Sequence, residues 1–311
     1  MRVLLALGGN AMTAPDGSAT PAAQIAAVEV AMESAARLVA AGHELVITHG
    51  NGPQVGNLLV KNELAAHVVP PVPLDWCGAQ TQGTLGFTIL DALDGALAAS
   101  GTVRPVAALV TRTLVDRDDQ GFTHPSKPIG RYLPPDQAQQ MVEHGQVWQD
   151  RGEQGWRRVV ASPEPLEVLD VGAVRALLAA GHVVVAAGGG GIPVVRDQDG
   201  RIRGVEAVID KDLTAALLAR TLEADVLVIA TDVDHAAVDW GTPQQRDLGR
   251  VTLAEMHAYA VDGQFASGSM GPKVEAATRF VEGGGPRSVI TSLPHITDAV
   301  EGSFGTVIEP D

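Results

Sequence analysis

Short β-branched or leucine-rich runs that end in glycine, each paired with a helical stretch, constrain this chain more than any other feature. Val3–Leu7 is a buried-strand run ending at Gly8-Gly9, and Thr20-Pro21 then offers an N-cap and a first-turn proline. Ile25, Val28, Met32, Ala35 and Val39 recur at helical spacing and form one apolar face, stopped by Gly42. Glu44–Thr48 is the next strand and runs into His49-Gly50-Asn51-Gly52-Pro53. The pairing returns as a helix over Val171–Ala180, closed by Gly181, and a strand over Val183–Ala187 that runs into Gly188–Gly191. A further strand, Val226–Ala230, ends at Thr231-Asp232, and Thr252 with Glu255 has capping-box spacing for a late helix. Such alternation predicts an α/β fold with a mostly parallel sheet between helical layers. Ligands in such sheets bind at the carboxyl ends of the strands, where the glycine turns lie.

One segment breaks the rhythm. Residues 112–160 are rich in Asp, Gln, Arg, Gly and Pro and carry Trp148 and Trp156, with few long apolar runs. The sequence predicts an inserted subdomain or lid there, returning to the sheet near Ser162-Pro163.

Charge and cysteine content narrow the function. With 45% hydrophobic and 19% charged residues the chain is globular rather than disordered. Its 22 Lys and Arg against 37 Asp and Glu give a net charge of −15, which disfavours nucleic acid and anionic membrane as partners. A small anion held in a local basic pocket remains open. Cys77 is alone, so no internal disulfide and no multi-cysteine metal site can form. The apolar run Val3–Leu7 meets Gly8-Gly9-Asn10 too soon for a secretion signal. The longest uncharged run, Ala176–Val195, contains His182, four glycines and Pro193, so it is no membrane helix. A soluble, cytoplasmic protein is expected.

Four glycine turns stand out: Leu7-Gly8-Gly9-Asn10, His49–Gly52, Gly188–Gly191 and Gly268-Ser269-Met270-Gly271. Any one of them reads as a tight strand-to-helix turn. Four at one sheet edge favour a phosphate or carboxylate cradle, because glycine lets backbone N–H groups approach an anion. None has P-loop spacing, and no GxGxxG opens a helix.

The lysines are more informative. Only Lys61, Lys127, Lys211 and Lys273 occur, against 18 arginines, and the last three sit among Gly, Pro and Asp. A compact ammonium on a flexible stem can follow a migrating phosphoryl group, whereas a guanidinium fork holds one geometry. Pro272 would start a helix beside Lys273, the pair Asp210 and Asp212 flanks Lys211, and Lys127 lies in the predicted lid. Asp210 and Asp212 could orient the lysine, hold Mg²⁺ through water, or simply open a helix. Asp232, at a strand end, could contact nucleotide or metal or cap a helix. His49 reads as structural or as a hydrogen-bond donor. Ser162 and Cys77 have no base nearby in sequence, so nucleophilic catalysis is not expected.

With these residues in view, the chain resembles the carbamate kinase family of the amino acid kinase superfamily from end to end. The matching strings are Ala6–Ala11, His49–Gly56, Leu74-Asp75 with Cys77–Ala79, Pro125–Gly130, Arg157–Val160 before Ser162-Pro163, Gly188–Pro193, Gly204–Asp212, Thr231–Asp234, Gly241–Pro243 and Gly263–Ala276. The resemblance implies a single domain over 1–311, a three-layer αβα sandwich with a protruding lid, and a homodimer. Residues 1–220 would lie mainly on the acceptor side and 221–311 mainly on the nucleotide side. The implied reaction is reversible phosphoryl transfer between ATP and carbamate, giving carbamoyl phosphate and ADP, with Mg²⁺ carried by the nucleotide rather than by a protein metal site. Other superfamily kinases place a lysine where Ala6 stands; here the lid lysine, Lys127, is implied to take over.

On that basis Lys211 and Lys273 would stabilise the transferring phosphoryl group, Asp212 would orient them, and Lys127 would close over the acceptor. The amides of Gly8, Gly9, Asn10, Gly50, Asn51 and Gly52 would cradle acceptor and phosphoryl oxygens. Lys211, Asp232, Met270, Gly271 and Lys273 would meet the nucleotide. Three departures are noted: Arg131 after Pro-Ile-Gly, Trp76 after Leu-Asp, and His235–Val238 without the family's aromatic residue. Two rivals remain: a superfamily kinase with another carboxylate or phosphonate acceptor, and a nucleotide-binding regulator without turnover.

Overall fold

Alternate residues of Arg2–Leu7 face two different cores, which makes this strand the centre of a three-layer molecule. A computed structural model describes residues 1–9, 20–265 and 270–311, so Asn10 and the Gly268-Ser269 turn lie outside the described residues. The central sheet has eight strands: β1 (Arg2–Leu7), β2 (Glu44–His49), β3 (Val106–Ala108), β4 (Val183–Val185), β5 (Val226–Thr231), β6 (Arg250–Thr252), β7 (Ser288–Ser292) and β8 (Thr306–Glu309). Their order is β6-β8-β7-β5-β1-β2-β4-β3. All neighbours are parallel except β7 and β8. A parallel sheet needs helices on both faces, and its strands then read as unbroken apolar runs.

Leu4 and Ala6 of β1, with Leu227 and Ile229 of β5, face one helical layer. That layer is α4 (Val171–Ala179), α5 (Lys211–Thr221), α6 (Leu253–Val261) and α7 (Met270–Glu282), which contribute Val174, Leu218, Met256 and Phe280. Val3, Leu5 and Leu7, with Val226 and Val228, face the other layer. There α1 (Pro21–Ala40), α3 (Leu74–Ala99) and α8 (Ile296–Glu301) supply Val28, Met32, Ile89, Leu93 and Ile296. Each such fully buried aliphatic side chain contributes roughly 1.5–3 kcal/mol relative to exposure.

The helix signals operate as their chemistry requires. Thr20 caps α1 by accepting the Ala23 N–H at 3.3 Å, and Gly42, at φ +87°, ends the connection. Of the apolar set expected on α1, Val28, Met32, Ala35 and Val39 are buried, but Ile25 is exposed. Thr252 and Glu255 form the expected capping box of α6.

The stretch 112–160 divides. Arg112–Leu114 pairs with Ile192–Val194 and with Glu167–Val168, in a separate four-stranded sheet completed by Ile202–Gly204. A self-contained antiparallel sheet covers only Lys127–Leu133, Val147–Asp150 and Trp156–Val160. Its small core gathers Leu133, Ala138, Trp148, Met141 and Trp156 around the helix Pro135–Glu143. The 112 boundary therefore moves to the start of the Lys127 strand. The partners of Arg112–Leu114 lie far downstream, where no local pattern announces them. No helix among the described residues is long and apolar enough to cross a membrane.

Candidate functional site

The N-terminus of α5 gathers the charged groups that the sequence singled out. Asp210 caps the helix: its Oδ1 accepts the N–H groups of Asp212 at 2.8 Å and Leu213 at 3.3 Å. Asp212, in the first turn, faces inward with its side chain only 5% exposed. Its Oδ2 accepts a hydrogen bond from Lys273 Nζ at 3.1 Å. Its Oδ1 lies 2.6 Å from Lys211 Nζ, off the line of a hydrogen bond, and neither of those two atoms has a hydrogen-bond partner among the described residues. Burial alone would push the Asp212 carboxyl up, but the ammonium groups of Lys211 and Lys273 outweigh it and hold it below the usual carboxylate range. Burial lowers the Lys211 ammonium, with Asp212 pulling the other way. Two lysines thus converge on one buried carboxylate at a helix N-terminus, a place where charge and dipole both favour an anion.

Lys127 reaches the same helix end from the antiparallel sheet. Its Nζ lies 2.5 Å from Asp210 Oδ2. Asp210 and Asp212 therefore link three of the chain's four lysines into one chain of contacts, while Lys61 stays exposed on α2 (Gly52–Ala65). Both carboxylates are engaged with ammonium groups. No group of three or more His, Cys, Asp or Glu side chains among the described residues is arranged to hold a metal ion.

The glycine turns meet as the alternation predicts, but their amides are not all available. Gly8 N–H donates to Ala230 O at 3.0 Å and Gly50 N–H to Leu7 O at 2.9 Å. Those two amides stitch β1 to its neighbours, which corrects their expected role as oxyanion donors. Their glycines serve close approach instead: a Cβ on Gly50 would sit 2.9 Å from Gly9 N. Asn51 and Gly52 open α2, whose first amides have no intrahelical acceptor. The Asn51 side chain is held by Thr81 Oγ1 at 2.9 Å, and Thr81 in turn donates to Gly78 O.

Gly188–Gly191 is a packing turn. A Cβ on Gly188 would fall on the His49 ring, one on Gly189 on the Asn51 amide, and one on Gly191 on the Thr113 hydroxyl. Thr113 and Thr214 both donate to Gly190 O, at 2.9 and 3.0 Å, tying the turn to α5. Gln82 donates to Gly188 O at 3.0 Å and accepts from Thr111 N–H at 2.8 Å. This buried polar network, and the bridging position of Asp210, were not foreseen from sequence.

His49 ends β2 inside the fold. Its Nδ1 lies 2.9 Å from Gly50 O, so that nitrogen carries the proton. Burial lowers its pKa to about 4, against the Gly50 hydrogen bond and with a contribution from Lys211. Cys77 is buried beside Asn62, and burial raises its thiol pKa.

In the same helical layer as α5, Met270 and Gly271 begin α7, three residues or fewer before Lys273. Asp232 is exposed after β5, with its Oδ1 accepting from Thr231 Oγ1 at 3.0 Å. His235 lies 4.9 Å from Phe304, which stacks on His295 at 3.9 Å, so the aromatic group at this end comes from late in the chain. Of the other two departures, Arg131 pairs with Glu63 of α2 at 3.3 Å, and Trp76 stands exposed on α3. Gly130 approaches α2 so closely that a Cβ on Gly56 would lie 3.3 Å from its Cα.

Comparison with known proteins bears on this geometry. The model of the amino acid kinase family matches residues 1–292. The carbamate kinase of Thermococcus kodakarensis is 44% identical, covering 99% of this chain and 98% of its own. The carbamate kinase-like protein YahI of Escherichia coli is 42% identical, covering 98% of each. The structure of Giardia lamblia carbamate kinase bound to AMP-PNP superposes with a TM-score of 0.93 at 42% identity, over 100% of this chain and 98% of that one.

Proposed function

This chain belongs to the amino acid kinase family, and from that premise we propose that it moves a phosphoryl group reversibly between ATP and carbamate. The products are carbamoyl phosphate and ADP. The observation that carries this is the pair of ammonium groups of Lys211 and Lys273 on the buried Asp212 carboxylate, at the N-terminus of α5.

Carbamate is already an anion, so no general base is needed for it to attack the γ-phosphorus in line. The transition state is loose, and catalysis is then positioning plus neutralisation of charge on the transferred oxygens. Lys211 and Lys273 supply two positive charges at a spacing that Asp212 sets. Asp212 pairs with both ammonium groups while leaving Lys211 Nζ with unused donors. Lys127, at the base of the antiparallel sheet, faces the same point and binds the acceptor carboxylate. The opening amides of α2, at Asn51 and Gly52, complete the acceptor side, together with Gly9. Met270, Gly271 and Asp232 take the nucleotide. Mg²⁺ would be carried by the nucleotide and would screen its phosphates there, while Asp210 and Asp212 are paired with lysines.

The finer reading runs the reaction toward ATP synthesis, in the cytoplasm, by a homodimer. Supporting the dimer is the outer stripe of α3, where Trp76 (60% exposed), Gln80, Gly83 and Phe87 (62% exposed) recur at helical spacing. A second copy of the chain would cover this stripe.

One observation favours a second acceptor. The relative named only carbamate kinase-like is about as similar as those named carbamate kinase. ADP release from ATP, measured with carbamate and with a panel of carboxylates and phosphonates, separates the two. Carbamate is expected to be preferred by at least tenfold, and a better acceptor in the panel would replace it.

A further inference from the structure

We infer that Asp210 is a positioning residue that fixes the lid lysine, Lys127, against the helix end carrying Lys211 and Asp212. The inference rests on the phosphoryl-transfer reading for its consequence in turnover, though not for its geometry.

The two oxygens of Asp210 do different things. Oδ1 is the helix cap, accepting the amides of Asp212 and Leu213. Oδ2 meets Lys127 Nζ at 2.5 Å, across a separation of 83 residues. An N-cap needs only one side-chain oxygen, so the second contact is additional to capping. A backbone bond reinforces it: Val208 N–H donates to Ala161 O at 2.9 Å, just where the antiparallel sheet returns to the body. Ser126 N–H donates to Val160 O at 3.2 Å, so Lys127 sits at the closed base of that sheet rather than at its tip. The base and the segment leading into α5 are therefore joined by one main-chain bond and one ion pair.

An ammonium has three donors. Asp210 takes one and leaves two on a side chain still 35% exposed. A free lysine samples many rotamers, and ordering it at the moment of binding weakens the interaction. Held by Asp210, Lys127 is ordered before the acceptor arrives. Asp210 thereby sets the distance between the group that binds the acceptor and the groups that bind the phosphoryl oxygens, without itself binding acceptor or phosphoryl group.

The test uses the full chain and two readouts. Asn caps a helix about as well as Asp but cannot pair with an ammonium, so Asp210→Asn separates the two roles. The expected result is an unchanged melting temperature with kcat reduced by roughly 10–100-fold. Added to Lys127→Ala, the same substitution should reduce kcat by less than about twofold, because the effect runs through Lys127. The second readout is independent of activity. Acylation of the four lysines, followed by peptide mass spectrometry, should show Lys127 reacting several-fold faster in Asp210→Asn, with Lys61 unchanged. Equal Lys127 labelling in the two proteins, or a full loss of kcat added on top of Lys127→Ala, would overturn the inference. Failure of the reaction reading looks different: the unsubstituted protein makes no ATP while the labelling difference persists.

Discussion

Asp212 stays ionised in a nearly closed site because Lys211 and Lys273 stand on either side of it. On the proposed reaction, removing one ammonium takes away charge that would stabilise the transition state, so Lys211→Ala and Lys273→Ala should each lower kcat by about 10²–10³-fold. Lys61→Ala, on the exposed face of α2, should leave kcat within twofold, and steady-state kinetics on the three variants checks both statements. Asp212→Ala leaves two ammonium groups facing one another without a counter-charge, and breaking such a buried pair costs about 3–5 kcal/mol. Urea denaturation reads that loss. His49 gives a pH dependence of definite sign. Its folded value, about 4, lies below the ordinary 6.5, so the unfolded chain takes up the proton first. The stability it contributes is complete above pH 6.5 and is lost as pH falls toward 4, by about 3 kcal/mol in all. His49→Gln should flatten the denaturation profile over that window, and an unchanged slope would show that the ring is not buried neutral. At this scale the sequence was informative about charge and silent about partners. Four lysines among 18 arginines marked the cluster, but Asp210 looked like any helix cap, because its second contact comes from 83 residues away.

The Gly188–Gly191 turn links the strand β4 to the site through close packing and hydrogen bonds. Gly189 has φ +66° and a Cβ there would occupy the Asn51 amide, so Gly189→Ala combines backbone strain with a clash. It should cost more than about 2 kcal/mol. Gly172 in α4 has open space around its Cβ direction and ordinary helical backbone, so Gly172→Ala should stabilise the protein by up to about 1 kcal/mol. Thermal unfolding of the two variants gives opposite shifts if the turn is as tight as its contacts indicate. Elements were legible where a period or a cap announced them, as in β1, α1 and the Thr252–Glu255 box. They were not legible where pairing is non-local. Arg112–Leu114 reads like part of the polar insertion, yet joins Ile192–Val194 in the four-stranded sheet. Glycine turns were legible as turns, while the engagement of Gly8 and Gly50 amides within the sheet was not.

At the scale of the molecule, a net charge of −15 surrounds a site whose three lysines outnumber its two carboxylates. Negative substrates are therefore drawn by the local excess of positive charge and not by the surface as a whole. The apolar stripe of α3 gives the corresponding prediction for assembly. Trp76→Asp combined with Phe87→Asp should convert a dimer of about twice the 32.2 kDa chain mass into monomer in sedimentation velocity. A dimer that survives both changes would place its interface elsewhere. The most direct test of the whole account is ATP formation from carbamoyl phosphate and ADP with Mg²⁺, by the purified protein and by Lys273→Ala. Rapid ATP production that falls at least a hundredfold in the variant is the expected result. No ATP from a protein that still binds ADP would contradict the reaction, and equal rates in the two proteins would contradict the site.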